Sequence, residues 1–83
     1  MGLRLKRLRF RAWHRGTREA DLLLGRFADA KLDRLTPSEL DEFERLLDCD
    51  DPSIVGWATG LTPVPEKFDN AIMHLLRNFK LDA

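Results

Sequence analysis

The stretch TPSELDEFERLL, residues 36–47, indicates a helix more clearly than any other part of the chain. Thr36 can cap the helix, Pro37 suits its first position, and Glu39 can reach back to complete a capping box. Apolar side chains then recur at three- and four-residue spacing, which is typical of one helix face. They are Leu40, Phe43, Leu46 and Leu47.

The chain after this helix repeats the same kind of signal. Asp51-Pro52 is a cap followed by a proline, and it predicts a short fourth helix that ends near Gly60. The prolines of residues 62–65 make a stiff connection. A fifth apolar stripe follows it and predicts a last helix, with the residues Phe68, Ile72, Leu75, Leu76 and Phe79.

The chain before residue 36 contains two further elements. Thr17 can cap a second helix that runs from about Arg18 to Arg34, and Gly16 separates it from the segment before it. Residues 3–13 are ambiguous, since they fit both a strand alternation and a helix stripe. We predict a short helix there, because no second strand of convincing type is available to pair with a first.

These elements predict an all-α fold, a compact five-helix bundle that forms a single domain over residues 1–83 with its core at about 4–80. A chain of 83 residues supports one modest core. We expect a monomer. The side chains expected to be largely buried are Leu24, Phe27, Phe43, Trp57, Leu75 and Leu76.

The net charge of zero hides a strong asymmetry. Residues 1–18 carry seven cations and no acid, whereas residues 19–83 carry the other seven cations and all fourteen acids. Such a basic end can bind nucleic acid, act as a targeting peptide or dock on an acidic partner. Targeting is disfavoured, because arginines interrupt each apolar run and the segment has no serine. We expect a cytoplasmic protein that does not insert into membranes.

The sequence offers little for catalysis. Cys49 is the single cysteine, and no histidine is near it to act as a base. His14 and His74 lie far apart and lack the spacing of a metal site. The glycines are scattered singly, so there is no phosphate-binding loop. We therefore expect no catalytic residue, no metal site and no enzyme activity.

One segment, residues 13–19, combines an aromatic residue, a glycine break and clustered opposite charges. It is either an ordinary turn with solvated charges or a patch for protein docking, since aromatic and arginine side chains often anchor interfaces. The candidate partner-binding residues are Trp13, His14, Arg15, Gly16, Arg18 and Glu19.

The order of several motifs resembles the succinate dehydrogenase flavinylation factors, known in mitochondria as succinate dehydrogenase assembly factor 2. Residues 15–19, Arg-Gly-Thr-Arg-Glu, match the RGxxE motif of that family. The helix that follows this motif resembles the corresponding helix of the family. Further landmarks of the family are matched downstream in the same order: Leu46-Leu47, Asp50-Asp51-Pro52, Trp57 and Pro63-Val64-Pro65. The resemblance covers about residues 4–80.

The resemblance implies a five-helix bundle with RGxxE exposed around the start of the second helix. It also implies a chaperone-like partner role: binding to the flavoprotein subunit of succinate dehydrogenase, and in some bacteria of fumarate reductase, to assist covalent attachment of FAD. The cofactor then belongs to the partner and is not bound stably by this chain. By motif position, Arg15, Gly16 and Glu19 carry the docking. The absence of an evident presequence suggests a bacterial cytoplasmic protein.

Two other functions stay open at this point. A small helical nucleic-acid-binding domain could use the basic N-terminal segment, although the acidic remainder of the chain would repel a duplex. An adaptor for a different acidic partner would keep the docking patch and change its target.

Overall fold

The protein is described here by a computed structural model, which covers the backbone of residues 2–82 and the side chains up to residue 79. Within these residues the chain is helical and contains no strand. The five helices are α1 (Leu3–Trp13), α2 (Arg18–Lys31), α3 (Pro37–Leu47), α4 (Asp51–Thr59) and α5 (Ala71–Asp82). The predicted all-α five-helix fold is confirmed, and so is the helix over residues 3–13.

Helix α1 packs mainly against α2, while α5 packs against α3 and α4. The stripe predicted on α1 is buried at Leu8 and Ala12, and Leu5 lies half-buried beside them. The alternation that also fitted a strand therefore has no structural role in this segment. None of the helices within residues 2–82 is long and apolar enough to cross a membrane.

The start of α3 has the predicted capping box. The Thr36 backbone N–H donates to Glu39 Oε1 at 2.9 Å, and the Glu39 N–H donates to Thr36 Oγ1 at 3.2 Å. Pro37 occupies the first turn, where its missing N–H leaves no bond unmade. Local sequence alone therefore fixes the start of this helix.

The cap of α4 was predicted one residue too late. Asp50, not Asp51, caps the helix, and its carboxylate accepts bonds from the Ser53 N–H at 3.2 Å and the Ser53 hydroxyl at 2.8 Å. These bonds from Ser53 hold the pKa of Asp50 below its ordinary value, because they favour the ionised carboxylate. Asp51 becomes the first helical residue, which leaves its side chain available for another partner.

Two helix boundaries also differ from the sequence prediction. The α-helix that was expected to continue to Arg34 ends at Lys31, and a 3₁₀ turn over Leu32–Arg34 follows it. This tighter turn buries Leu32, which is 1% exposed. Phe68 belongs to a second 3₁₀ turn before α5, where it stacks on Trp57 with ring centroids 5.1 Å apart.

The core contains four of the six side chains expected there: Leu24, Phe27, Phe43 and Leu76. Phe27 is central, with its ring 5.6 Å from Phe43 and 5.8 Å from Phe79 between centroids. The other two side chains lie less deep in the fold. Trp57 and Leu75 are only half-buried, because they pack against the edge of the core rather than inside it.

The basic α1 is paired with acidic side chains of the helices around it. Arg4 contacts Asp41 at 2.6 Å and Glu44 at 2.9 Å, and Arg11 contacts Asp48 at 2.7 Å. Arg9 makes longer contacts with carboxylates of α2 and the first 3₁₀ turn, at 3.3 and 3.5 Å. These pairs are partly exposed, so each contributes little to stability. Together they show that much of the charge asymmetry is compensated inside the fold.

We expect Phe27→Ala to lower the free energy of unfolding by about 3–5 kcal/mol, because it leaves a cavity between two other aromatic rings. Urea unfolding followed by circular dichroism measures this loss. Leu61→Ala is the matched control, since Leu61 is 81% exposed and its truncation should cost less than about 0.5 kcal/mol. Equal losses for the two variants would contradict the assigned core.

Candidate functional site

The turn between α1 and α2 is built around Gly16. Its φ of +104° lies in the left-handed region that side chains disfavour, and the residue is exposed. A Cβ built at Gly16 would meet no atom within 4 Å. The glycine is therefore required by the backbone conformation and not by lack of space within this chain. The surface above it is open to a partner.

The side chain of Arg15, just before this glycine, is directed inward. Its Nη1 donates to the carbonyl of Leu47, its Nη2 to the carbonyl of Cys49 at 2.6 Å, and its Nε to Asp51 Oδ1 at 2.9 Å. The Leu47 carbonyl is at the end of α3, where helical carbonyls lack internal partners and a cation is favourable. One guanidinium thus joins the α1–α2 turn to the α3–α4 turn.

The ion pair at the centre of this arrangement is nearly removed from solvent. The side chains of Arg15 and Asp51 are 10% and 11% exposed. The other oxygen of Asp51 accepts a bond from the Thr17 hydroxyl at 3.2 Å, and the Arg15 backbone N–H donates to Asp21 at 2.6 Å. We call these four side chains, with the carbonyls of residues 47 and 49, the Arg15 clamp. It fixes the turn from both sides of Gly16.

The clamp changes the interpretation of Arg15. The sequence suggested that its guanidinium pairs with the partner, but in the free chain Nε and both terminal nitrogens already donate within the chain. Direct partner binding by Arg15 stays a prediction, and the geometry supports a positioning role instead. Asp51 was missed as a site residue. The sequence marked Asp51 as a helix cap and as part of the Asp50-Asp51-Pro52 landmark, but nothing in it links Asp51 to Arg15, 36 positions earlier.

Trp13 also faces the fold more than the solvent. Its ring lies against Gly25 of α2, where an added Cβ would come within 2.2 Å of Trp13 Cδ2. The indole Nε1 donates to Asp29 at 3.3 Å, and the side chain is half-buried. Trp13 therefore sets the close approach of α1 to α2. Its predicted contact with a partner would involve only the remaining exposed edge.

The remaining candidates are exposed. Within the described part of the chain, Arg18 and Glu19 make no hydrogen bond or ion pair through their side chains. His14 stacks on Phe10, with ring centroids 3.9 Å apart, and its Nδ1 is 2.7 Å from the Phe10 carbonyl oxygen. Phe10 is 63% exposed, so its ring is available to a partner. The sequence stripe alone did not mark Phe10 as a surface residue.

The two histidines and the cysteine all lie in residues 2–79. No cluster of three His, Cys, Asp or Glu side chains could hold a metal there. His74 contacts Asp69 at 2.8 Å on the exposed side of α5, far in sequence from the turn. Burial raises the pKa of the Cys49 thiol, with a further contribution from the neighbouring Asp50. The thiol form is therefore favoured over the nucleophilic thiolate.

The Trp13–Gly25 contact predicts that Gly25→Ala changes the free energy of unfolding in opposite directions with and without the indole ring. Gly25→Ala should destabilise the wild-type chain by about 1–3 kcal/mol, because the new methyl group collides with the indole ring. In a Trp13→Ala background the same substitution should stabilise by up to about 1 kcal/mol, through helix propensity alone. Urea unfolding of the four chains measures both effects, and Gly2→Ala serves as a control in open space. A destabilisation of equal size in both backgrounds would contradict this packing.

Comparison with known proteins adds the family. Residues 6–80 match the family described as flavinator of succinate dehydrogenase. The chain is 43% identical over 67 residues to the FAD assembly factor SdhE of Acetobacter pasteurianus, which is 81% of this chain and 62% of that protein. It is also 43% identical over 81 residues to the mitochondrial succinate dehydrogenase assembly factor 2 of Scheffersomyces stipitis, covering 93% of this chain and 54% of that protein.

A relative of lower sequence identity has the same name. The mitochondrial succinate dehydrogenase assembly factor 2 of Dictyostelium discoideum is 37% identical over 73 residues, 88% of this chain and 52% of that protein. The chain thus spans between about half and three fifths of the length of these relatives. Because the family match covers nearly the whole sequence, the chain belongs to the family described as flavinator of succinate dehydrogenase.

Proposed function

We propose that this chain is an assembly factor that binds the flavoprotein subunit of succinate dehydrogenase and promotes its covalent attachment to FAD. The observation that carries the proposal is the Arg15 clamp beside an exposed turn. The clamp holds Gly16, Arg18 and Glu19 in a fixed arrangement, and the two charged side chains have no partner in the described residues. Membership of the family and the names of the relatives support the same function.

The mechanism we propose requires no catalytic group of this chain. A binding protein can accelerate a reaction in its partner by stabilising one conformation of it. It must bind that conformation more tightly than the alternatives, or the populations do not change. FAD and the residue that forms the covalent bond belong to the flavoprotein. This chain is not an enzyme, and it holds no cofactor stably.

The exposed turn has a chemistry suited to such binding. The carboxylate of Glu19 and the guanidinium of Arg18 pair with opposite charges of the flavoprotein, where partial burial strengthens the attraction. Gly16 presents backbone without a side chain, so the partner approaches closely. The stacked rings of Phe10 and His14 offer apolar area at the end of α1, just before the turn. Arg15 and Trp13 hold this surface in place from within.

The alternative of nucleic-acid binding has no support in the fold. Arg4, Arg9 and Arg11 face carboxylates of their own chain, and Arg15 is turned inward. Phosphate binding would require these cations to exchange partners, and the carboxylates left behind would repel the duplex. We also propose that the chain acts as a monomer and serves the fumarate reductase flavoprotein where a cell contains one. A bacterial cytoplasmic location stays a prediction, since the relatives include bacterial and mitochondrial proteins.

Gly16→Arg should abolish support of flavin attachment while the chain still folds. The positive φ costs about 1–2 kcal/mol for any side chain, but the new arginine projects into open space and not into the core. At the partner interface the same side chain is a steric block and an unmatched charge. Covalent flavin on the flavoprotein is measured by in-gel fluorescence after denaturation, in cells that lack the native factor. A thermal melt of each purified variant reports folding.

Gly16→Ala separates the backbone strain at this position from the steric block. A second comparison tests the charge of Glu19. Gly16→Ala carries the same strain with little bulk, so it should melt like Gly16→Arg and yet retain most flavin attachment. Glu19→Gln should weaken attachment, whereas Glu66→Gln, an exposed glutamate elsewhere, should leave it unchanged. Normal flavin attachment with Gly16→Arg would overturn the docking surface. Losses that follow only the melting temperature would do the same.

A further inference from the structure

A groove of about 360 Å³ opens between α2, α4 and α5, and it begins at the exposed motif residue Glu19. Neither the motif nor the sequence patterns indicated it, because its walls come from three helices that are distant in sequence. The groove is lined by Glu19, Leu22, Leu23, Arg26, Val55, Thr59 and Phe79.

The interior of the groove is apolar and incompletely covered. Leu23 and Phe79 pack against the core from one side and line the groove with the other. Leu22 and Val55 are half-buried without being part of the core cluster, so their side chains contribute mainly to the groove. Binding of a partner that removes this apolar surface from water lowers the free energy of the complex.

The two ends of the groove carry opposite charges. Glu19 and Arg26 are seven residues apart on α2, which is two helical turns on the same side and about 10 Å along the axis. Both side chains are exposed, and neither has an ion pair or hydrogen bond within the described residues. This differs from Arg4, Arg9 and Arg11, whose charges are met inside the fold. The groove therefore presents an apolar floor between an anion and a cation.

We propose that this groove receives an apolar segment of the flavoprotein, with a cationic side chain at the end that meets Glu19 and an acidic one at the end that meets Arg26. The proposal rests on the proposed function, since Glu19 is shared by the motif and the groove. A flavin dinucleotide satisfies only one end of the groove, because its phosphates can pair with Arg26 but it has no cation for the carboxylate of Glu19. A protein segment with both charges satisfies both ends and fixes the direction in which it lies.

The test is isothermal titration of the purified flavoprotein subunit, before flavin attachment, with the whole chain and its variants. Leu22→Glu and Val55→Glu should weaken binding roughly tenfold or more, because each places a charge on the apolar floor. Leu61→Glu is the control for both, since it puts the same charge on an exposed apolar position outside the groove. Arg26→Glu should also weaken binding, whereas Arg34→Glu, another exposed arginine, should not.

Arg26→Glu keeps the test valid if an apolar variant fails to fold, because Arg26 is exposed and supports no contact of the core. A photoreactive residue in place of the exposed Thr59 identifies the bound segment directly. Mass spectrometry of the cross-linked flavoprotein should find an apolar stretch bounded by a basic and an acidic residue. A cross-linked segment without these features would overturn the proposal.

The outcomes separate this inference from the function on which it rests. If wild-type chain does not bind the flavoprotein, the proposed function fails and the groove proposal fails with it. If wild-type chain binds, Glu19→Gln weakens binding and all groove variants behave like their controls, the groove proposal alone is overturned. Selective loss in the groove variants, with normal melting temperatures, supports it.

Discussion

One largely buried guanidinium connects the turn between α1 and α2 to the turn between α3 and α4. Arg15 donates to the last carbonyl of α3, to the carbonyl of Cys49 and to the carboxylate that begins α4. An arginine suits this position because its planar group offers several donors in fixed directions, whereas a lysine offers a single point charge. Leaving either member of such a pair unpaired is costly, since the remaining charge stays buried.

The same interaction explains how a chain of this size presents a defined surface. A small domain has a modest core, and exposed turns are its least stable parts. Here the turn at Gly16 is held by the Arg15 clamp on one side and by the Trp13–Gly25 contact on the other. A surface that is already ordered loses less entropy when it binds, which favours recognition by a few exposed groups. In the proposed function these groups are Gly16, Arg18 and Glu19.

The charge distribution follows a related logic. The basic N-terminal segment and the acidic remainder contact each other along α1, through partly exposed pairs that add little stability individually. Their effect is to neutralise three of the seven N-terminal cations that could otherwise attract a nucleic acid. Arg18, Glu19 and Arg26 are different, because their charges are met by no partner in residues 2–79. Other exposed charges, such as Arg34 and Glu66, also have no ion pair within the described residues, but Glu19 and Arg26 are the ones that border the groove.

Much of the fold was predictable because its signals are local. The capping box at Thr36 and Glu39, the glycine break at residue 16 and the apolar stripe of α3 each act within a few residues. The errors arise where tertiary contacts decide. Asp50 and not Asp51 caps α4, and the carboxylate of Asp51 pairs with Arg15, which lies 36 positions earlier. The 3₁₀ turn that buries Leu32 has no cap or breaker to mark it.

The site was predicted in its location and not in the roles of its residues. The sequence identified residues 13–19 by their composition, but it could not show which side chains face inward. Arg15 and Trp13 are the residue types most typical of interface anchors, but their side chains mainly contact other residues of this chain. Glu19 lines one end of a groove whose other walls come from α4 and α5. The sequence could not show this groove, because it depends on how the helices pack together.

A double-mutant cycle on the Arg15–Asp51 pair tests the central claim most directly. The free energy of unfolding of the isolated chain is measured in urea for wild type, Arg15→Ala, Asp51→Ala and the double variant. If Arg15 positions the turn through Asp51, the two substitutions are non-additive by about 1–3 kcal/mol, because removal of both charges leaves neither one buried alone. Additive effects, with a stable Arg15→Ala chain that no longer binds the flavoprotein, would contradict the account and return Arg15 to direct contact with the partner.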